Sequence, residues 1–343
     1  MMRYKLLGNS GLRVSELALG TMTFGQDWGW GADKSTSRQI FDAYVAAGGN
    51  FVDTSNNYTN GTSEQYVGEF IASARDQFVV ATKYTLRLEN GNPLNFNEGG
   101  NSRKSMVRSV ENSLQRLQTD YIDLLYLHMW DFMTPVEEVM RAMDDLVRTG
   151  KVLYVGFSDS PAWVISYALA LAQRHGWSPP VAVQVPYNLT GRDAERAVLP
   201  MARAFGLTVT AWGLLDGGAS TGKYNEENDR PKRYDDVSDK SKALAAELQV
   251  IAREIGRSPA QVAVNWVKRQ PGVIPILGAR TLAQIEDNLG ALDFSLSDEQ
   301  LTRLGALNDF RLGFPLSFLT DDHVRNLIFG QTFAQIDHPR SAV

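Results

Sequence analysis

Four side chains at or just after the ends of short apolar runs carry groups that do chemistry together. Asp53 lies near the end of NFVDTS, Tyr58 follows it in SNNYTNG, Lys83 closes QFVVATK and His128 closes YIDLLYLH. Each has an ordinary structural reading: Asp caps turns, Tyr packs half-buried, Lys snorkels and a lone His fills a core. Their recurrence at three successive run ends favours a site. His128 is one of only four histidines and ends an otherwise apolar run. A Lys ammonium beside a phenol favours the phenolate and draws the Tyr pKa down from ~10. A carboxylate beside the Lys keeps it protonated and fixes its position, while a His orients a carbonyl oxygen or shares the proton. The sum is a general acid that protonates an oxyanion as it forms. The set contains no nucleophile, metal set or electron source, so a cofactor has to supply the electrons.

Elements with two periodicities must position these groups. Eight apolar, β-branched runs span 17–22, 50–55, 77–83, 121–128, 152–158, 181–187, 207–213 and 273–278. They are continuous, without strict alternation, which suits strands covered on both faces. Helical stripes lie between them: Met106, Val110, Leu114 and Leu117 make one, and Val136, Val139, Met140, Met143 and Val147 another. Thr134-Pro135-Val136-Glu137 reads as a capping box with proline at the first helical position, and Ser258-Pro259-Ala260-Gln261 repeats it. A helix is expected near Glu64, and Gly48-Gly49 and Gly150 mark helix ends. Strands alternating with helices predict an α/β (β/α)8 TIM barrel, and no G-x-G-x-x-G follows an early strand. Chemistry then belongs at the C-terminal strand ends. The chain reads as one domain, 1–343, with a short N-terminal β-hairpin closing the barrel bottom, extra helices, and a C-terminal tail (310–343) packed on it. Residues 225–242 are the most polar stretch and read as a surface loop.

The bulk composition excludes several classes. The 343 residues are 43% hydrophobic, ample for a large core, and 34 Lys+Arg against 39 Asp+Glu give a net charge of −5. No sustained basic run offers a nucleic-acid surface. With no cysteine there is no disulfide, thiolate catalysis or zinc–cysteine site. The N-terminus lacks an apolar signal region and no apolar run approaches the ~20 residues of a membrane span, so a cytoplasmic protein with no membrane partner is expected.

The chain resembles an aldo-keto reductase. The likeness runs in order through KLLGNSGLRVSELALGTMTFG, FVDTSNNYTNGTSE, VVATKY, SVENSLQRLQTDYIDLLYLHMWD and PILGARTLAQIEDNL. It implies a (β/α)8 barrel and NAD(P)H-dependent reduction of a small aldehyde or ketone. By motif, Tyr58 is the implied proton donor, Lys83 and Asp53 its tuning pair, and His128 the orienting group. Ser158, Asp159 and Gln184 are the implied nicotinamide contacts, with Trp212 stacking on the ring. Thr21, Met22, Gly213, Leu214 and Leu215 are implied to line the groove beside Asp53. Gly217 and Lys223 lie in GGASTGK, an implied loop over the pyrophosphate. A P-loop is rejected there because Tyr224 replaces the required Ser/Thr. Gly278 and Arg280 precede a helix start at Thr281, where backbone amides and an Arg fork suit a 2′-phosphate, and Gln284 and Asn288 face the adenine. NADPH is therefore expected over NADH.

Departures from the family pattern are informative. Asp159 replaces the usual Asn; if ionised, it favours the cationic, oxidised cofactor. Thr59 stands where glycine often follows the Tyr, and Gly278 lacks a long cationic side chain. Trp28, Trp30, Tyr84 and Trp130 are expected to form an aromatic mouth for a ring-bearing or apolar carbonyl compound. Residues 84–101 read as an adaptable substrate loop. Two rival readings are a Schiff-base aldolase using Lys83 and a cofactor-binding regulatory subunit with little turnover. A monomer and a homo-oligomer are both compatible with the sequence.

Overall fold

The computed structural model of the protein describes residues 1–92, 94–225, 235–308 and 310–336. Among these, the strands are β1 (Tyr4–Leu6), β2 (Arg13–Ser15), β3 (Ala18–Gly20), β4 (Phe51–Asp53), β5 (Val79–Tyr84), β6 (Ile122–Leu127), β7 (Val152–Ser158), β8 (Pro180–Pro186), β9 (Thr208–Trp212) and β10 (Val273–Leu277). β3 to β10 close into an all-parallel barrel in chain order, with β10 returning to β3. Each expected apolar run holds one barrel strand, its ends slightly shifted. The helices are α1 (Lys34–Ala46), α2 (Thr62–Ile71), α3 (Arg103–Leu117), α4 (Val136–Arg148), α5 (Ala162–His175), α6 (Val198–Phe205), α7 (Asp239–Glu254), α8 (Pro259–Lys268), α9 (Leu282–Leu289), α10 (Asp298–Ala306), α11 (Leu316–Leu319) and α12 (Asp322–Phe329).

The strands alternate between two apolar layers, as the period of two demands. Phe51, Val79, Ala81, Leu124 and Tyr126 fill the barrel interior. Val52, Val80, Tyr84, Leu125 and Leu127 face the helices and belong to one apolar cluster with the α4 side chains Val139, Met140 and Met143. The β1–β2 hairpin packs across the N-terminal end of the barrel. Leu7 and Val14 join the interior cluster, Lys5 Nζ donates to Val273 O at 3.1 Å and Gly8 N to Thr208 Oγ1 at 2.7 Å.

Local chemistry shifts several expected boundaries. α8 starts with the expected box: Ser258 Oγ accepts from Gln261 N at 3.1 Å. Thr134 does not cap α4; Pro135 takes that position without a side-chain cap. The Thr134 hydroxyl instead donates to Asp131 Oδ2 at 2.8 Å, and Asp131 also accepts from the backbone N–H of Met133 and Thr134. α4 thus starts one residue later than the box placed it, and Thr134 belongs to the Asp131 turn before the helix. α7 begins at Asp239 with Ser238 as its cap, so the end of the polar stretch 225–242 is helical. Residues 226–234 of that stretch lie outside the described residues.

The C-terminal tail is tied down at its start. Asn308 Nδ2 donates to Leu189 O at 2.5 Å, Arg196 Nε donates to Arg311 O at 3.1 Å, and the Arg196 guanidinium lies 4.7 Å from the Phe310 ring centroid. Further on, packing is thinner than expected: Phe314 and Leu327 are exposed, and Val324 is the buried residue of α12. Residues 337–343 lie outside the described residues. Among the described residues no helix is long and apolar enough to cross a membrane.

Candidate active site

β4 ends at Asp53 while its neighbour β5 continues to Tyr84, in a register that places Asp53 opposite Ala81. Lys83 therefore points inward one pleat beyond Ala81, over the end of β4. Its Nζ donates to Asp53 Oδ2 at 2.6 Å, to Thr54 O at 2.8 Å and to Tyr58 Oη at 3.1 Å, and no part of it reaches solvent. The second Asp53 oxygen accepts from Gln184 Nε2 at 2.8 Å, across the barrel from β8. The His128 ring stands edge-on to Tyr58 at 6.0 Å, with Ser55 Oγ 3.1 Å from its Nδ1. The four groups expected together are together. Ser55, Thr54 and the Gln184–Asp53 bond were not expected. Ser55 and Thr54 sit inside the same motif and read only as turn formers.

Tyr58 is carried by a tight turn, Tyr58–Gly61, in which Thr59 has φ +45° and Asn60 φ +54°. A β-branched residue in the left-handed region is unusual and needs compensation. Thr59 Oγ1 donates to Phe24 O at 2.6 Å and accepts from Ser63 N at 3.1 Å, entirely buried. Gly25 makes room for it: a Cβ there would lie 2.8 Å from Thr59 Oγ1. Thr59 thus pins the Tyr58 turn to the loop carrying Trp28 and Trp30.

Burial and charge set the protonation states. Burial pushes the Tyr58 phenol up, and the pull of Lys83 does not fully offset it, so the phenol keeps its proton. That corrects the expected net lowering: desolvation outweighs the nearby ammonium. Burial alone would lower Lys83, but the charge of Asp53, the phenol and hydrogen bonds to both raise it overall. Burial, with the Lys83 charge, pushes His128 down to about 3, so its imidazole is neutral. Asp159 is pushed up by burial to about 6, against hydrogen bonding from Trp212 and the charge of Lys83.

The expected cofactor residues divide into two groups. A cavity of about 890 Å³ is lined by Thr23, Trp30, Leu215, Gly217, Gly218, Thr221, Lys223, Gly278, Ala279, Arg280, Gln284, Asp287 and Asn288, among others. Gly217 and Gly218, with φ +59° and +91°, let the backbone fold along it. Thr23, Gly218, Thr221 and Asp287 were not anticipated; Asp287 holds Ser258 Oγ and Gln261 Nε2, both at 2.9 Å. At the barrel end Ser158 sits in register with Gln184, and Trp212 is two-fifths exposed at the end of β9. The Ser158 hydroxyl is buried with no hydrogen-bond partner among the described residues. An orphaned buried hydroxyl at the barrel end that carries Tyr58 and Lys83 fits a polar ligand group such as a carboxamide. A dinucleotide-sized cavity, glycine backbone and the Lys223 and Arg280 cations fit the rest of a dinucleotide.

Other expected contacts are turned elsewhere. Thr21 is buried, its hydroxyl donating to Asp53 O at 3.0 Å, and Leu214 packs in the core. Met22 is half-buried, and Gly213 O accepts from Asn188 Nδ2 at 2.8 Å. Gln284 accepts from Arg280 N at 2.8 Å and Asn288 donates to Gly278 O at 3.2 Å, so both shape the cavity wall. Tyr84 is not at the mouth: alternation along β5 turns it away from Lys83 into the barrel–helix layer, its hydroxyl donating to Asn101 O. Trp130 is also buried in that layer. Trp28 and Trp30 do form a wall, 5.7 Å apart, with Trp28 edge-on to Tyr58 at 6.5 Å. The Trp28 indole N–H is buried without a partner among the described residues. Among those residues no group of three or more His, Asp and Glu is arranged to hold a metal ion.

The model of the Aldo/keto reductase family matches residues 16–309. The chain belongs to the aldo/keto reductase family. This aldo/keto reductase is 39% identical over 324 residues to norsolorinic acid reductase of Aspergillus flavus, covering 92% of this chain and 83% of that protein. It is 38% identical over 332 residues to a putative aryl-alcohol dehydrogenase of Saccharomyces cerevisiae, covering 91% and 88% of the two chains. Over 347 residues it is 38% identical to aryl-alcohol dehydrogenase [NADP(+)] of Phanerodontia chrysosporium, covering 94% and 90%. Family membership makes it an oxidoreductase built on a (β/α)8 barrel.

Proposed function

We propose that this aldo/keto reductase converts an aldehyde or ketone to the alcohol with NADPH, Tyr58 giving the proton. The observation that carries this reading is Lys83 Nζ bonded at once to Asp53 and Tyr58. The neutral His128 imidazole has one N–H to donate and orients the carbonyl oxygen toward the phenol. Tyr58 transfers its proton to that oxygen as negative charge grows there. The Lys83 ammonium steadies the phenolate left behind, and Asp53 keeps Lys83 charged and in place. Burial of Lys83 and Asp53 excludes water from the charge pair. When bound, the nicotinamide supplies the hydride that the side chains lack.

Arg280 supports NADPH over NADH. It is exposed at the cavity rim beside the α9 N-terminus, and no carboxylate pairs with it among the described residues. One relative carries NADP(+) in its name. The Trp28–Trp30 wall, together with two relatives named for aryl alcohols, supports an aryl aldehyde or ketone as substrate. Lys83 held protonated by two partners speaks against the Schiff-base alternative.

The test is NADPH oxidation with a panel of aryl aldehydes and ketones, using Tyr58→Phe as control. Loss of the phenol is expected to lower kcat by about 10²–10⁴ while leaving cofactor affinity intact. Activity that survives Tyr58→Phe overturns the mechanism. Cofactor binding with no turnover across the panel moves the reading to a regulatory subunit.

A further inference from the structure

Asp159 brings a charge to the mouth that the proposed reaction does not use. It leaves β7 directly after Ser158 with its backbone in the left-handed region, φ +35°. Its N–H donates to Gln184 O at 3.1 Å and its carbonyl accepts from Trp130 N at 3.4 Å. That conformation is uncommon outside glycine, and the two backbone bonds tie it to β8 and to the loop after β6. The carboxylate interacts with the Trp212 side chain and with the charge of Lys83, and it in turn raises Tyr58. Asp159 follows in the chain directly on Ser158, whose hydroxyl is buried without a partner among the described residues. The carboxylate therefore lies within electrostatic reach of Lys83 and Tyr58, at the barrel end where a nicotinamide would have to react.

We infer that Asp159 sets the relative affinity of the site for oxidised and reduced cofactor, its carboxylate favouring the cationic oxidised ring. The inference rests on the reading of this groove as a nicotinamide site. The two cofactor forms share every phosphate and sugar and differ in one ring charge. A neighbouring anion acts on that difference, and its protonation removes the bias.

Of the groups facing Asp159, few change charge near neutrality. Lys83 on β5 and Tyr58 after β4 are both raised and keep their protons, and His128 after β6 stays neutral above about 3. Asp53 on β4 is bonded to Lys83 and Gln184. Trp212 on β9 and Trp130 carry no titratable group. Burial lifts Asp159 itself to about 6, within the accessible range. A 2′-phosphate that titrates in the same range is common to both cofactor forms and cancels in their ratio.

The experiment measures dissociation constants of NADP+ and NADPH by calorimetry or fluorescence, on the wild type and Asp159→Asn, at about pH 5 and about pH 8. In the wild type, NADP+ should gain on NADPH by about three- to tenfold from the lower to the higher pH, a partly exposed charge being screened. In Asp159→Asn the ratio should stay near the acid value at both pH values. A wild-type ratio that does not move with pH, or one equal to that of the variant at the higher pH, overturns the inference and leaves the cofactor site standing. A wild type that binds neither dinucleotide overturns the underlying reading instead. The wild-type series needs no variant, so it decides the matter even if Asp159→Asn does not fold.

Discussion

The Lys83 ammonium lies 2.6 Å from the Asp53 carboxylate, and neither side chain reaches solvent to any useful degree. Two adjacent strands of unequal reach create the pair. Removing one partner of a buried pair strands the other, which costs about 3–5 kcal/mol. Asp53→Asn is expected to lose stability of that order in urea unfolding. The sign with pH follows from the raised Lys83. Its contribution is complete below the ordinary value of 10.5 and is lost as pH rises through the higher folded value. In Asp53→Asn burial acts on Lys83 without its main opposing charge, so that alkaline loss should shrink or change sign.

His128 shapes the acid side. Its folded pKa is about 3 against an ordinary 6.5, so between these values the unfolded chain binds a proton that the folded one refuses. Stability should fall as pH drops from 6.5 toward 3, by up to about 1.4 kcal/mol per pH unit. Asp159, raised to about 6, acts in the opposite sense: its contribution is present at acid pH and lost as pH rises through about 6. The difference between wild type and His128→Gln, followed by thermal unfolding across that window, isolates the histidine slope.

Arg280 should decide between the two dinucleotides. A guanidinium grips a phosphate through paired, charge-assisted bonds. Arg280→Ala is expected to weaken NADPH by about tenfold or more and to leave NADH nearly unchanged. Binding titrations with both cofactors check it, and an unchanged ratio removes Arg280 from the 2′-phosphate site.

Thr59 holds two loops together through one hydroxyl. Thr59→Val keeps the shape but leaves Phe24 O and Ser63 N without that partner, at about 1–2 kcal/mol. Thr59→Gly relieves the φ of +45° yet loses the same bonds. Both variants should unfold earlier in urea than the wild type. Because both lose the hydroxyl, the difference between them weighs the methyl packing kept in Thr59→Val against the backbone strain relieved in Thr59→Gly.

Much of the site was readable from residue types alone. A carboxylate, a lysine and a histidine at successive strand ends, and a tyrosine in the loop between, converge once a parallel barrel is assumed, because every strand delivers its C-terminal end to one face. Glycine-rich and arginine-bearing stretches pointed to the cavity for the same reason. Tyr84 was misplaced because adjacency in sequence is not adjacency in space. On a strand, the neighbour of an inward Lys83 faces outward. Thr134 failed as a cap because α4 begins one residue later and Pro135 takes the cap position, which leaves the threonine in the Asp131 turn.

The sequence by itself determined the barrel, the strand end that bears each candidate group, and the charge types that meet there. These follow from local periodicity and from charge type, which the chain carries residue by residue. Only the tertiary structure decided how far each group is desolvated. It put Tyr58 above its ordinary pKa when the neighbouring charge alone argued the reverse, and it left the Ser158 hydroxyl and the Trp28 indole without partners among the described residues. Burial and orphaned bonds depend on what every other element brings to the same point, so they come into being only when the barrel closes.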